Sequence, residues 1–252
     1  MKVRLLYSLP QTLVILGSGW DKVLDKVNIE KEYSYSDVFG IKTTVPGHEG
    51  RLIIGKIKMK PVAFMAGRIH LYEGLNPEIT TKPIDFIAKA GVKNLIITSA
   101  AGAINEKYKV GDFIILSDLI TLFLSGKTPL VGPKFLDLSE VFDPKLRRHA
   151  INICATNAIP FHEGIYSFAH GPQFETPADK MMLKIIGADV VGMSTVPETL
   201  VAKSHGMKVL GLSYVTNLAF VKHEHKEVLA AAKNGSRQMV KLLEKVIDSI
   251  KN

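Results

Sequence analysis

The sequence predicts an α/β domain with a largely parallel or mixed central sheet, flanked by helices. Three observations predict it. Strand-like and helix-like segments alternate along all 252 residues, the pattern of a sheet covered by crossover helices. No linker, repeat or low-complexity tract interrupts the alternation, so residues 1–252 read as a single domain. Apolar residues make up 46% and charged residues 22%, enough for one large core without disulfide or metal staples.

The elements follow in order. Thr12 to Leu16 is a short apolar, β-branched run entering the glycine turn Gly17-Ser18-Gly19. Arg51 to Ile57 and Val62 to Ala66 form a paired hairpin. Pro77 to Ala90 carries Ile79, Ile84, Ile87 and Ala88 at helical spacing. Leu95 to Thr98 is a buried strand running into a small-residue turn, Ser99-Ala100-Ala101-Gly102. Phe113 to Leu116 is a strand, Pro144 to Asn157 a helix and Gly164 to Ala169 a strand. Thr176-Pro177-Ala178-Asp179 opens a helix with a Thr cap, a proline in the first turn and an acid three residues on. Thr195-Val196-Pro197-Glu198 repeats that capping box after a strand ending near Val191. Val209 to Val215 is a strand. His225 to Ile250 is a long amphipathic helix through Val228, Leu229, Met239, Val240, Leu243, Val246 and Ile250. The stretch Leu122 to Leu138 is rich in Gly and Pro, and a loop of that length in a compact domain is usually functional or interfacial.

Composition excludes several function classes. The single cysteine, Cys154, forbids an intrachain disulfide and suits a reducing compartment. No apolar run approaches the ~18–20 residues of a membrane span. Lys2 and Arg4 precede an apolar stretch that mimics a signal peptide, but Pro10, Gln11 and Thr12 interrupt it. A cytoplasmic location is therefore expected. The net charge of +8 is scattered, without a basic run of five, so neither a nucleic acid nor a membrane is an expected partner. The eight histidines show no HExxH-like spacing, and no metal is expected.

Several segments carry chemistry. Gly17-Ser18-Gly19 follows a strand and is either a tight exit or a loop whose N–H groups and Ser18 hydroxyl converge on an anion. In Gly67-Arg68-Ile69-His70-Leu71-Tyr72-Glu73-Gly74, an extended backbone would put Arg68, His70 and Tyr72 on one face. Arg offers a bidentate oxyanion contact, His a further hydrogen bond and Tyr a flat apolar face. Ser194 lies beside a helix N-terminus, where N–H groups and the dipole favour anions, or else adds a cap hydroxyl. Phe174-Glu175 offers a stacking ring and a carboxylate acceptor for an N–H-bearing heterocycle. Asn217, at a strand end, can donate and accept, or serve as a turn residue. His48 and His225 are ambiguous on their own.

Six motifs occur in an order that is itself informative: Gly17-Ser18-Gly19, Val45-Pro46-Gly47-His48, Gly67 to Gly74, Thr98-Ser99-Ala100-Ala101-Gly102, Gly171-Pro172-Gln173-Phe174-Glu175-Thr176 and Gly192-Met193-Ser194-Thr195-Val196-Pro197-Glu198. Together they resemble the trimeric class of purine nucleoside phosphorylases, with methylthioadenosine phosphorylases as close relatives, from Gly17 to Ala231. The resemblance implies a mixed sheet partly closed into a barrel, and phosphate-dependent cleavage of purine (deoxy)ribonucleosides to base and (deoxy)ribose 1-phosphate. It implies a homotrimer, no metal and no cofactor, phosphate being a co-substrate. By similarity, Ser18, His48, Arg68, His70, Ala100 and Ser194 hold phosphate. Tyr72, Met193 and His225 flank the ribose, joined by Phe135 from a neighbouring subunit. Phe174, Glu175 and Asn217 hold the base, and Asn217, Glu175 and His70 carry the catalytic roles.

The resemblance has departures. Trp20-Asp21 stands where relatives carry a small residue, Ser99 replaces a common Asn, and Leu218 follows Asn217 where some relatives carry Lys. The segment from Asn217 to His225 is short, which makes His223 a competitor for the 5′ position. Asn217 resembles the 6-oxopurine enzymes, whereas methylthioadenosine enzymes carry Asp there, so inosine and guanosine are the expected substrates. Methylthioadenosine or adenosine cleavage is the alternative within the family, and a non-catalytic nucleoside-binding protein the alternative outside it.

Overall fold

The computed structural model describes residues 9–43, 50–124, 127–133, 135–222 and 224–250. Nine strands form one mixed sheet: β1 (Thr12–Leu16), β2 (Val27–Ser34), β3 (Arg51–Ile57), β4 (Lys60–Ala66), β5 (Asn94–Ala103), β6 (Phe113–Ile120), β7 (Phe161–Phe168), β8 (Val190–Gly192) and β9 (Lys208–Leu218). The helices are α1 (Tyr35–Phe39), α2 (Pro77–Lys89), α3 (Pro144–Thr156), α4 (Pro177–Ile185), α5 (Val196–Ser204) and α6 (His225–Ser249). The strand order is β2-β3-β4-β1-β5-β8-β7-β6-β9, and β9 pairs again with β5. That second pairing closes β5, β8, β7, β6 and β9 into a barrel, while β1 to β4 extend from β5 as an open arm.

Strand β1 of the arm is apolar on both faces because helices cover both. Leu13 and Ile15 of β1 pack into one core with α1, α2 and α5, through Phe39, Ile84 and Leu200. Val14 and Leu16 enter a second core with α3 and α6, through Ala150, Met239 and Leu243. The alternation of one strand between two cores is the two-residue period of extended backbone.

Most elements stand where the sequence puts them, including the β3–β4 hairpin and the Thr176–Asp179 capping box. Four expectations need correction. The small residues Ser99 to Gly102 are not a turn: they continue β5 to Ala103. Their parallel ladder to β9 supplies backbone partners that a short apolar count does not reveal. Strand β2 and helix α1 were not expected: β2 is a largely polar edge strand whose alternation of Val27, Ile29 and Tyr33 is broken at Lys31, beside a bulge. Residues 67–70 are not a strand, and Leu71–Glu73 is a single 3-10 turn. Leu229, expected on the buried face of α6, is half-exposed.

Helix α6 lies so close to the barrel that Gly235 has no room for a side chain: a Cβ there would sit 2.2 Å from Tyr214 Cζ. Tyr214 is itself held edge-on against Phe113, at 5.1 Å between ring centroids. Helix propensity alone favours alanine over glycine by about 1 kcal/mol. Overpacking typically costs about 1–3 kcal/mol. Gly235→Ala is therefore expected to lower the melting temperature by a few degrees, and a rise would contradict this packing.

Candidate active site

The C-terminal part of β5, the barrel strands β8 and β9, and the loops after β1, β4 and β7 converge on one cleft of about 520 Å³. It is lined by Ser18, Arg68, His70, Tyr72, Ala100, Phe174, Glu175, Met193, Ser194 and Asn217. Ten of the candidate residues, spread over 200 positions of chain from Ser18 to Asn217, thus meet in one place. The cleft also takes in Glu73, Thr216 and Val228, which the sequence reading had not assigned.

The glycine turn after β1 is held from below. Gly17 N–H donates to Thr98 Oγ1 at 3.0 Å, and that hydroxyl donates to the Ile15 carbonyl. A Cβ on Gly17 would lie 2.6 Å from the Thr98 carbonyl oxygen, so only glycine lets β1 approach β5 here. Trp20, the departure from a small residue, is buried and its indole N–H donates to the Ser99 carbonyl. The bulky ring is thereby used as a brace behind the loop.

Arg68 is 2% exposed. Its guanidinium donates to Glu198 Oε1 at 3.4 Å and to the Thr98 carbonyl. His70 and Tyr72 do not share a strand face. Their rings instead stack at 4.6 Å, 13° from parallel, across the 3-10 turn. Glu73 accepts from the His70 backbone N–H at 2.7 Å, and its Oε1 lies 3.5 Å from His70 Nδ1. The three-residue spacing of His70 and Glu73 was the available signal for this contact. Burial lowers the His70 pKa, with Glu73 opposing. Burial, and next the Glu73 carboxylate, pushes the Tyr72 hydroxyl up to about 12.

Asn217 owes its aim to a bulge. The β5–β9 register runs Ala101 to Val215 and then Gly102 to Asn217, so Thr216 is the extra residue. Bulges of this kind re-aim a side chain beside a site. The Thr216 hydroxyl lies 3.1 Å from Asn217 Oδ1 and 3.3 Å from the Ala101 carbonyl. A Cβ on Gly102 would come within 2.9 Å of Asn217 Nδ2. Glycine there keeps the space for the amide.

The expected Thr195–Glu198 capping box does not form. Thr195 has φ 72° and ψ −51°, and Val196 N–H donates to the Ser194 carbonyl at 2.7 Å. This is a γ-turn, which denies Thr195 the extended conformation that capping needs. Ser194 instead lies within 3.4 Å of the buried Tyr166 hydroxyl, through its Oγ and its N–H.

His48, and His223, the competitor of His225 for the 5′ position, lie outside the described residues. His225 opens α6, but its side chain lies outside the described atoms. Phe135 is 97% exposed and does not line the cleft. Among the described residues, no group of three or more His, Cys, Asp or Glu is arranged to hold a metal.

A single α/β domain with a five-stranded barrel, whose open end holds an arginine, a histidine, serines and an aromatic-carboxylate pair, defines a class. The chain belongs to the phosphorylase superfamily, whose family model matches residues 11–248. Purine nucleoside phosphorylase 1 of Geobacillus stearothermophilus is 39% identical over 218 residues, 83% of this chain and 79% of that one. Purine nucleoside phosphorylase of Saccharomyces cerevisiae is 38% identical over 274 aligned positions, 96% and 88%. Among solved structures, the Schistosoma mansoni purine nucleoside phosphorylase in complex with inosine matches with a TM-score of 0.91. It is 36% identical, covering 99% of this chain and 94% of that one.

The lowered His70 pKa has a definite sign. An unfolded histidine binds its proton near pH 6.5, and the folded one lower. Between the two values the unfolded state holds more protons, so stability falls as the pH drops below about 6.5. An NMR titration of His70 is expected to give a midpoint below that of a model peptide. A midpoint above it would contradict the burial argument.

Proposed function

We propose that this chain is a purine nucleoside phosphorylase that cleaves the N-glycosidic bond of inosine, guanosine and their deoxy forms with inorganic phosphate. The observation that carries this reading is the single cleft in which anion donors meet a base-binding set. Ser18, Arg68, His70, the Ala100 backbone N–H and Ser194 are the phosphate ligands in this reading, with His48 as a further one. Tyr72 and Met193 flank the ribose, and His225 takes its 5′-hydroxyl. Phe174 stacks on the base and Glu175 accepts from its edge. The similarity to enzymes named for this activity, and to a structure holding inosine, supports it.

The chemistry follows from where charge develops. Breaking the C–N bond leaves positive charge on the ribose and negative charge on the purine. Phosphate held against the sugar supports the first and then attacks C1′. The Asn217 amide donates to the purine N7 as charge builds there. A bond that strengthens only in the transition state lowers the barrier. The Thr216 hydroxyl faces Asn217 Oδ1 at 3.1 Å, and Asn217 lines the cleft. An amide at position 217, which can donate where an aspartate cannot, supports a 6-oxopurine reading with Glu175 taking the ring N–H. A Schistosoma mansoni relative of 36% identity has been solved with adenosine, which keeps 6-aminopurines as the second reading.

The reading includes a homotrimer in which Phe135, fully at the surface of the single chain, enters a neighbour's ribose site. No metal or organic cofactor takes part in this reading, and the expected setting is the cytoplasm.

Base release from inosine, guanosine, adenosine and methylthioadenosine, with and without phosphate, tests the reaction. Fast release from the first two only with phosphate is expected. Release without phosphate would make the protein a hydrolase, and none at all a binding protein. Asn217→Ala is expected to lower turnover by ~10²–10³-fold, the usual cost of losing such a donor. Near-normal turnover would remove Asn217 from the mechanism. Specific activity is also expected to fall on dilution below the trimer's dissociation range, with Phe135→Ala impaired at all concentrations.

A further inference from the structure

Arg68 is a cation held almost wholly out of water, which is tolerable only with a partner. Its partners come from two different elements. Glu198, in the first turn of α5, lies 3.4 Å away, and the Thr98 carbonyl on β5 takes the other arm of the guanidinium. A planar group fixed at two points on one side has its plane set.

Glu198 is an unusual choice for that task. Its spacing from Thr195 suits a helix cap, yet the γ-turn at Thr195 releases it from capping. The carboxylate is 5% exposed, and its Oε2 has no hydrogen-bond partner among the described residues. A buried carboxylate oxygen without a donor is costly. Stability alone would favour a better-satisfied arrangement. The buried Tyr35 feels the charges of both Arg68 and Glu198, and it donates to the Gly67 carbonyl at 2.7 Å, fixing the backbone next to Arg68.

We propose that Glu198 is a positioning residue for phosphate: it does not touch substrate but holds the Arg68 guanidinium in the plane that the oxyanion meets. The inference rests on the phosphorylase reading of the cleft. Its consequence is that reach, not charge, is what the site requires at position 198.

Two variants separate reach from charge. Glu198→Asp keeps the charge and withdraws the oxygen by one methylene. Glu198→Gln keeps the reach and an acceptor oxygen but loses the charge. Positioning predicts that the Asp variant raises KM for phosphate about tenfold or more, the scale of a small misplacement of a binding group. The Gln variant should stay within about threefold of wild type. KM for inosine should change less than about twofold in both. In an Arg68→Lys background, which keeps the charge but has no planar fork, the two variants should no longer differ. A Gln variant worse than the Asp variant would make Glu198 a plain counter-ion and overturn the proposal. So would an unchanged phosphate KM in both, or parallel losses for phosphate and inosine. Stabilisation against heat by inorganic phosphate alone supplies a readout free of turnover. It should be retained in Glu198→Gln and largely lost in Glu198→Asp. If the Asp variant does not fold, loss of phosphate stabilisation in Glu198→Gln would by itself overturn the proposal, and its retention supports it. Wild-type protein that phosphate fails to stabilise would instead remove the phosphorylase reading on which the inference stands.

Discussion

The parallel pairing of β5 with β9 is the constraint on which the rest of the structure depends. It runs from Asn94 opposite Lys208 to Ala103 opposite Leu218. It closes the barrel, because both strands also belong to other ladders: β5 to β1 and β8, and β9 to β6. The same ladder brings Ala100 and Gly102 beside Tyr214 to Asn217. One bulge in it turns the Asn217 amide toward the cleft. Had the register continued without the extra residue, Thr216 would face Gly102, and the period of two would send Asn217 to the opposite face.

A second constraint is electrostatic. The floor of the cleft places an arginine, a histidine and two carboxylates in a region largely shut off from water. Burial drives His70 toward its neutral form. Arg68 brings a fork of N–H donors into the same region, and these need acceptors there. The fold answers by bringing a carboxylate to it from α5. That arrangement is obtained at the cost of a strained residue, Thr195, whose positive φ is unusual for a β-branched side chain. Strain at the mouth of α5 and the ion pair beneath it are two sides of one local solution.

Close approach is the third theme. Gly17, Gly102, Gly171 and Gly192 each stand where a Cβ would strike a neighbour at under 3.0 Å. For Gly171 that neighbour is Met193, and for Gly192 it is the Tyr166 hydroxyl. The glycines of the motifs therefore serve mainly to let backbone and site side chains sit against one another, and a loop that only cradled an anion would not need so many.

The alternation of elements, the two apolar faces of β1 and the residue types suited to phosphate and purine were legible in the chain, because periodicity and side-chain chemistry are local properties. So were the six motifs, whose order identified the family before any fold was drawn. Local signals failed where a partner far along the chain decides. Ser99 to Gly102 read as a turn, since nothing nearby shows that β9 pairs with them. Glu198 read as a cap, since its spacing from Thr195 is local and Arg68 is 130 residues away. Arg68, His70 and Tyr72 line one cleft, but His70 and Tyr72 meet by ring stacking across a short turn and the three share no strand face. Side-chain chemistry and chain order are written residue by residue. Which groups are buried together is set by folding, because desolvation, register and steric contact exist only once distant segments meet.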